Sequence, residues 1–255
     1  MTYLRIIIEQ CIEWSSRLYT VFIDFEKSFD SINSESMWKE VKRYGVPTQI
    51  VSLIKGTCRG YACRVVHEGR VSEPIYVQTG VRQGFILSPT IFLIVIDAVM
   101  RNVNRDRRRD IQRGLVNRLE DLDFADDLCL LSETHGHMQT KLKDLTNKAE
   151  KTGFKINIKK TTTLRTNTSK TEPFTLRGES IEDVGSFTYL GSVVTKDGGA
   201  TQDVSQRIRK ANGVFVQLCP VWKNSRISTR TGPNTASSVV MLNQCCYVDL
   251  RHGKK

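Results

Sequence analysis

Two adjacent aspartates, Asp126 and Asp127, stand inside the apolar stretch LEDLDFADDLCLL at residues 119–131. Burying a carboxylate costs several kcal/mol unless the group is paired or bound to a metal, and two neighbouring carboxylates repel each other. A third carboxylate, Asp24, lies at the end of the β-rich run TVFI, in the stretch TVFIDF about a hundred residues upstream. Strand-borne carboxylates that converge on one point form an oxygen site suited to Mg²⁺, which also accepts phosphate oxygens as ligands. The pattern therefore indicates displacement at phosphorus assisted by two ions roughly 3.5 to 4 Å apart, with a solvated hairpin tip as the alternative.

The elements that must position these carboxylates are strands joined by a tight turn. Because consecutive strand residues point to opposite faces, adjacent aspartates share a site only where the backbone turns, so residues 115–132 are predicted to form two strands around a turn at residues 125–127. The segments FKINI, TTTLRT, PFTLRG and SFTYLGSVVT are also predicted strands. Helices are predicted at residues 34–44, 49–56, 88–100 and 138–152, followed by a basic helix with Val204, Ile208, Ala211, Phe215 and Leu218 on its apolar side. Strands mixed irregularly with helices favour an α+β fold.

The charge balance favours a polyanionic partner. The chain has 38 Lys and Arg against 27 Asp and Glu, a net charge of +11, and residues 101–110 form the basic run RNVNRDRRRD. Such a balance suits nucleic acid or an anionic membrane face, although a charged run can also be plain solvated surface. The most apolar segment, residues 85–100, contains Ser88, Pro89 and Asp97 and is shorter than the roughly 20 residues of a membrane span. A buried helix and no membrane partner are therefore predicted.

The cysteines and the N-terminus bear on the compartment. Seven cysteines, an odd number without C-x-x-C spacing, indicate neither a disulfide framework nor a zinc ribbon. The pair His135 and His137 has no third ligand at a suitable spacing and is interpreted as part of a polar loop. The N-terminal stretch MTYLRIIIEQ lacks the features of a signal peptide. An intracellular protein, nuclear or cytoplasmic and not secreted, is therefore predicted.

Five short motifs follow one another in a fixed order. They are FIDFEKSFD (22–30), GVRQGFILSPTIF (80–92), FADD (124–127), GFKINIKKT (153–161) and FTYLGS (187–192). Their order and content resemble successive motifs of a reverse transcriptase palm, and the chain from about residue 5 to residue 230 is similar to polymerases of non-LTR retrotransposons, most of all the RTE-type elements. The resemblance implies a right-hand polymerase fold, in which an antiparallel palm sheet is backed by helices and is accompanied by partial fingers and a partial thumb.

The resemblance also implies a division of the chain and an activity. Residues 1–192 would form the palm with the base of the fingers, residues 193–230 the start of a thumb-like helical region, and residues 231–255 a divergent C-terminal tail. The implied activity is that of an RNA-directed DNA polymerase, with an RNA template, a DNA primer and deoxyribonucleoside triphosphates as partners. The implied cofactors are two Mg²⁺ ions, for which Mn²⁺ could substitute. The oligomeric state is left open.

Catalytic roles are carried over motif by motif. By resemblance, Asp24 and Asp126 would hold the two ions with the main-chain carbonyl of Phe25, and Asp127 would lie beside them. Lys160 matches a lysine that donates a proton to the departing pyrophosphate, but its neighbour Lys159 could be that lysine instead.

Substrate contacts are implied in the same way. Phe29 falls where the family places an aromatic steric gate that excludes a 2′-hydroxyl, and a core phenylalanine is the alternative. The nucleotide pocket would be lined by Arg82, Gln83 and Gly84, because glycine lets the backbone approach a ligand closely. The hairpin that grips the primer strand would contain Tyr189, Leu190 and Gly191.

Two other functions compete with an active polymerase. One is a nucleic-acid-binding relic with an intact site and no turnover. The other is a two-metal nuclease, which needs clustered aspartates but usually adds further Asp, Glu or His ligands. Few residues precede the first catalytic strand, whereas the family places triphosphate-binding fingers and an endonuclease domain upstream. The chain alone is therefore expected to bind Mg²⁺ and duplex weakly and to extend a primer near background.

Overall fold

The computed structural model describes residues 2–58, 62–76, 79–81, 84–103, 111–113, 117–119, 121–124 and 127–218. These residues belong to two compact units. The larger unit comprises residues 10–185, and the smaller unit comprises residues 1–9 together with the chain from residue 186 onward.

Helices and strands alternate irregularly along the described residues, as the α+β prediction requires. The helices are α1 (Thr2–Glu13), α2 (Ser28–Ser31), α3 (Ser34–Arg43), α4 (Thr48–Cys58), α5 (Ser88–Val103), α6 (His135–Thr152) and α7 (Thr201–Gln217). The strands up to residue 132 are β1 (Leu18–Ile23), β2 (Ala62–Cys63), β3 (Val66–His67), β4 (Arg70–Val71), β5 (Ile75–Tyr76), β6 (Ile111–Arg113), β7 (Asn117–Leu119), β8 (Asp121–Phe124) and β9 (Asp127–Ser132). The later strands are β10 (Thr162–Thr166), β11 (Thr175–Leu176), β12 (Glu179–Ser180), β13 (Glu182–Asp183), β14 (Ser186–Tyr189) and β15 (Ser192–Thr195).

A five-stranded sheet of order β13-β10-β1-β9-β8 forms the centre of the larger unit. Strand β1 lies in the middle and runs antiparallel to both β10 and β9, and β8 returns antiparallel to β9. Only β13, at the edge, runs parallel to its neighbour β10. The predicted antiparallel palm sheet backed by helices is thereby confirmed.

Strand β1 is buried on both of its faces, which explains why its sequence LYTVFI is almost continuously apolar. The face that carries Tyr19, Val21 and Ile23 belongs to the main hydrophobic core. The helices α3, α5 and α6 contribute side chains to that core, among them Trp38, Phe92 and Leu142. Alternation places the next residue after Ile23 on the opposite face of the sheet.

Helix α5 confirms the prediction of a buried apolar helix. It begins at Ser88 and Pro89, a position where proline costs no intrahelical hydrogen bond, and most of its apolar residues are buried. None of the described helices is long and apolar enough to cross a membrane.

The histidine pair does not lie in a polar loop. Helix α6 begins at His135, and Thr134 caps it by accepting a hydrogen bond from the amide of His137. The His135 ring stacks on Phe174 with ring centroids 4.3 Å apart, so packing against an aromatic ring explains this residue without a metal.

The smaller unit contains the β14–β15 hairpin and α7. Tyr189 pairs with Ser192, and the two residues between them, Leu190 and Gly191, have φ values of 48° and 78°. Positive φ at both positions is typical of the tightest hairpin turns, so the predicted hairpin is confirmed. The predicted apolar side of α7 is largely not buried, because Val204 and Ile208 are exposed and Ala211 is the buried apolar residue of this helix.

Candidate active site

Asp24 follows the last residue of β1, and the strand register determines what lies beside it. The β1–β9 ladder pairs Phe22 with Cys129 and Ile23 with Leu128. Continued by one residue, this register sets Asp24 opposite Asp127. Ile23 and Leu128 belong to the core face, so Asp24 and Asp127 fall on the other face. Both lie at the same end of the sheet, where β1 ends and β9 begins.

The hairpin formed by β8 and β9 brings Asp127 to this end of the sheet. Its last ladder pair joins Phe124 to Asp127, so two residues connect the strands. Those two residues, Ala125 and Asp126, lie outside the described part of the chain. The predicted strands on both sides of the turn are confirmed, whereas the predicted approach of Asp126 to Asp24 stays a prediction.

A local excursion of the backbone brings Lys160 to Asp24. Strand β10 pairs Thr162 with Phe22, but the next bridge joins Ile156 to Phe25, which leaves three more residues on this side than on β1. The extra length forms a turn closed by hydrogen bonds from the amides of Lys160 and Thr161 to the carbonyl of Asn157, at 3.2 and 2.9 Å. The prediction of a regular strand at FKINI is therefore wrong.

The result of this turn is an ion pair at the end of β1. The Nζ atom of Lys160 lies 3.7 Å from Oδ2 of Asp24, and the two side chains are 70% and 42% exposed. An ion pair with this much solvent contact contributes little to stability. The ion pair matters for position instead, because it places a cation beside a carboxylate at this end of the sheet.

The same turn fixes the backbone of Asp24. The amide of Asp24 donates to Oγ1 of Thr161 at 3.4 Å, and its carbonyl accepts from the amide of Asn157 at 2.8 Å. Thr161 is fully buried. Neither Thr161 nor Asn157 could be identified from the sequence, because their contribution depends on the break in register and not on any residue spacing.

The oxygen atoms at this end of the sheet suit a divalent cation as ligands. Within the described residues, the buried Oδ2 atom of Asp24 accepts no hydrogen bond and has the Lys160 ammonium at 3.7 Å as an ion-pair partner, so its lone pairs stay available to a metal ion. The bridge between Phe25 and Ile156 uses hydrogen bonds of residues 24, 26, 155 and 157, so the Phe25 carbonyl is not consumed by it. Among the residues that the structure describes, no three His, Cys, Asp or Glu side chains form a metal-binding group, and Asp126 is not one of these residues.

Phe29 lies in α2, five residues after Asp24. Its ring stacks on Phe92 of α5 with centroids 4.3 Å apart and planes inclined by 20°, and it is partly buried against the core. One face of the ring is therefore supported while the side chain keeps some solvent contact. This arrangement suits a rigid gate and does not by itself exclude a core role, so the gate stays a prediction.

The predicted nucleotide pocket is only partly described. Gly84 has a φ of +82°, and a Cβ atom built on it would meet nothing within 4 Å. That backbone conformation favours glycine, as the close approach to a ligand would require. Arg82 and Gln83 lie outside the described residues.

The predicted primer-grip residues lie in the smaller unit. Tyr189 is buried at the end of β14, and Leu190 with Gly191 forms the turn. Their role in gripping a primer stays a prediction.

Comparison with known proteins gives a consistent picture. The family described as reverse transcriptase (RNA-dependent DNA polymerase) matches residues 6–194. The Pol polyprotein of a type-1 R2 retrotransposable element from Popillia japonica is 27% identical over 194 residues, which cover 72% of this chain and 32% of that protein. The R2 polyprotein of Nasonia vitripennis is 31% identical over 196 residues, covering 71% and 18%. The R2DM polyprotein of Drosophila melanogaster is 30% identical over 142 residues, covering 56% and 13%. The chain thus spans about a third or less of the length of these relatives.

Solved structures support the fold alone. The apo telomerase of Candida tropicalis superposes with a TM-score of 0.59 at 14% identity, over 96% of this chain and 40% of that one. The same telomerase in complex with a fragment of telomeric RNA gives a TM-score of 0.58 at 13% identity, over 96% and 41%. The right-hand polymerase architecture therefore extends to proteins whose sequences have diverged widely.

Proposed function

This chain belongs to the reverse transcriptase (RNA-dependent DNA polymerase) family, and on that premise we propose that it extends a DNA primer along an RNA template as part of a retrotransposon polymerase. Its similarity is to R2 elements, which are non-LTR retrotransposons. We assign it more finely to the RTE type on the content of its five motifs. An intracellular location, nuclear or cytoplasmic, is part of the same proposal.

One observation carries the catalytic part of the proposal. Asp24 ends the central strand, its backbone is held by the neighbouring turn, and Lys160 reaches to 3.7 Å of its carboxylate. The register sets Asp127 across from Asp24 on the same face of the sheet. The Asp24 carboxylate, with its backbone held in place, and the Lys160 ammonium are thus neighbours. This is where a primer terminus and a triphosphate would have to react.

Divalent metal ions are general to this family, and we propose two Mg²⁺ ions, with Mn²⁺ as a substitute. Asp24, Asp126 and the carbonyl of Phe25 would hold them, and the ions would stabilise charge on the attacking and leaving oxygens. The chain's own contribution is placement: the hydrogen bonds to Thr161 and Asn157 keep Asp24 at one position before any substrate arrives.

Lys160 is proposed as the proton donor to the departing pyrophosphate. Of the two candidate lysines, Lys160 is the one that forms an ion pair with Asp24. An exposed ammonium beside the site can neutralise the charge of the leaving group and deliver a proton at the same time. Lys160→Arg should keep the charge and lose most of the proton transfer, because a guanidinium does not deprotonate at working pH.

Primer extension on an RNA template with Mg²⁺ tests the proposal. The unmodified chain and Asp24→Asn would be compared with one labelled DNA primer and four deoxyribonucleoside triphosphates. Extension by the unmodified chain that is lost in Asp24→Asn supports a polymerase. Duplex binding by both proteins without extension by either, also after fusion of an upstream segment of a related retrotransposon polymerase, would identify the nucleic-acid-binding relic, and cleavage of the duplex in place of extension would identify the nuclease.

A further inference from the structure

Gly80 makes an unusually close backbone contact with the segment that carries Phe29. A Cβ atom built on Gly80 would lie 2.6 Å from the Cα of Asp30 and 2.6 Å from the carbonyl oxygen of Phe29. Real Cβ atoms essentially never come that close to another heavy atom, and the φ of Gly80 is +83°. Glycine is therefore required at this position by space and by backbone conformation together.

Two hydrogen bonds fasten this contact. The amide of Val81 donates to the carbonyl of Phe29, and the amide of Gly80 donates to the carbonyl of Ile32, both at 2.8 Å. Val81 itself belongs to the buried core. The strip of backbone at residues 80–81 thus joins the core to α2 at the residue that carries the ring.

Helix α2 depends on such external support. It has four residues, and its N-cap, Lys27, has a left-handed φ of 46° and makes no side-chain cap hydrogen bond. A helix of one turn is unstable on its own, so its position is set by the elements that pack on it. The position of the Phe29 ring is consequently set by two contacts. Residues 80–81 hold the backbone of Phe29, and the stacked ring of Phe92 holds its side chain.

A second glycine contacts the far end of the same segment. A Cβ atom on Gly153, whose φ is +95°, would lie 2.5 Å from the Ser31 carbonyl oxygen and 2.7 Å from the Asn33 amide nitrogen. The two glycines face equally tight spaces, but Gly80 touches residues 29 and 30 whereas Gly153 touches residues 31 to 33. Alanine at either position would therefore create a similar clash, and the two positions differ in how far the clash lies from the Phe29 ring.

We propose that Gly80 is a positioning residue for sugar selection, because it sets the position of the Phe29 ring relative to the sugar of the incoming nucleotide. This inference rests on the proposed function, since a sugar gate has meaning only in a polymerase. A methyl group on Gly80 would have to displace residues 29 and 30 by about 0.8 Å to reach an ordinary contact of 3.4 Å. Steric repulsion rises steeply with distance, so a displacement of this size alters how strictly the ring excludes a hydroxyl group, and misplacements of about 1 Å change reaction rates markedly.

The test compares three alanine variants in the full chain. Gly80→Ala carries the proposed defect, Gly153→Ala introduces an equally tight clash beyond the ring, and Gly45→Ala imposes a positive φ of 87° with nothing within 4 Å. Single-nucleotide incorporation opposite adenine is measured on a labelled primer for dUTP and for UTP, which differ only in the 2′-hydroxyl, with incubations long enough for product to accumulate when turnover is slow. The ratio of the two kcat/KM values is then independent of how much protein is folded.

We expect the preference for dUTP over UTP to fall about tenfold in Gly80→Ala and to change less than about twofold in the other two variants; tenfold corresponds to roughly 1.4 kcal/mol. Amide hydrogen exchange at Val81 should accelerate in Gly80→Ala alone, because its bond to the Phe29 carbonyl is displaced. Should Gly80→Ala not fold, Val81→Ala removes packing behind the same strip without a clash, and a smaller fall in the same ratio is expected.

The outcomes separate this inference from the function on which it rests. An unchanged ratio in Gly80→Ala and Val81→Ala, or an equal fall in Gly80→Ala and Gly153→Ala, would overturn the positioning role while the polymerase proposal stands. Because the chain alone is expected to turn over near background, the same variants are also measured with an upstream segment of a related retrotransposon polymerase fused to the chain. Incorporation of neither nucleotide by that fusion would defeat the proposed function, and the sugar-selection role would fall with it.

Discussion

Asp24 is the residue on which the proposed chemistry depends most. Replacement by Asn keeps the size of the side chain and removes its charge, so the loss of charge stabilisation should lower nucleotide incorporation about a thousandfold. Stability should change little, because the carboxylate is 42% exposed and its ion pair is weak. Single-nucleotide incorporation measures the effect. Glu133→Gln, the same charge change at an exposed position of the larger unit, is the control, and comparable activity in both variants would remove Asp24 from the mechanism.

Phe29 distinguishes a gate from a core residue. Phe29→Val opens space beside the sugar without touching a carboxylate, so UTP incorporation should rise roughly tenfold while dUTP incorporation falls only modestly. The ring also stacks on Phe92, and loss of that stacking should cost about 1 kcal/mol of folding stability. Competition between the two nucleotides on one primer gives the ratio directly. An unaltered preference together with a larger loss of stability would assign Phe29 to the core.

Individual site residues differ in how far the sequence could identify them. Asp24 and Asp127 stand out because carboxylates inside apolar stretches would be costly to bury, and the register then places them on one face, where Asp24 is half exposed and Asp127 is exposed. Gly80 and Thr161 could not be identified in this way. Their importance comes from a 2.6 Å backbone approach in one case and a break in strand pairing in the other. Both arise from contacts between segments that are distant in the chain.

At the scale of elements, the sequence predicts helices and strands that show a periodic or continuous apolar pattern. The prediction fails where a contact with another segment changes the backbone or the buried face. Strand β1 and helices α5 and α6 follow from apolar patterns of the right period and length. The stretch FKINI has the composition of a strand, yet it pairs with the chain after β1 through a single bridge, between Ile156 and Phe25, and the backbone then turns at residues 157–161. Helix α7 shows the opposite case, because its apolar periodicity is clear but the side chain buried most completely is that of Asp203.

Asp203 holds together the elements of the smaller unit. Its carboxylate accepts from the Val193 amide at 2.9 Å and from Arg5 and Arg207 at 3.2 Å each, which joins α7 to β15 and to the first part of α1. Burial by itself would raise the pKa of this carboxyl, but the Val193 hydrogen bond and the two guanidinium groups outweigh it and leave the pKa below its ordinary value. The ionised form is therefore the one that the fold stabilises.

The sign of this pKa shift predicts a pH dependence. A carboxyl whose pKa is lowered by folding contributes stability that is fully present above its ordinary pKa of about 3.9 and is lost as the pH falls through the folded value. We expect Asp203→Asn to lower the free energy of unfolding at pH 7 by roughly 3 kcal/mol, because two guanidinium groups lose their partner. The difference from the unmodified chain should shrink as the pH falls below about 4.

Denaturant unfolding at pH 7 and pH 3 measures this difference. Asp197→Asn is the control, because that carboxylate is exposed and lies in the same unit. A difference between Asp203→Asn and the unmodified chain that stayed constant with pH would mean that packing, and not the charge of Asp203, stabilises the unit.

At the scale of the whole molecule, topology is more durable than sequence. The similarity to telomerase at 14% identity shows that the order of strands and helices survives when most residues have changed. The order of the five motifs is therefore a good guide to the fold. It is a poorer guide to surface roles, since Arg101 of the predicted basic run already pairs with Asp97 at 2.8 Å and lies over the ring of Tyr44.

The net charge of +11 makes a prediction about the chain as a nucleic-acid-binding body. Neutralising phosphates releases counterions, so affinity for an RNA–DNA duplex should fall steeply with salt and depend little on sequence, with a slope of about −0.9 in log–log form for each phosphate contacted. If the basic run binds phosphates, replacing its four remaining arginines by Gln should reduce the slope by about 3 to 4 units. These arginines are Arg105, Arg107, Arg108 and Arg109, which lie outside the described residues. The control removes four exposed charges elsewhere, at Lys39, Lys42, Lys143 and Lys151. Equal effects of the two replacements would mean that net charge alone attracts the duplex, and binding insensitive to salt would show that phosphate contacts do not drive it.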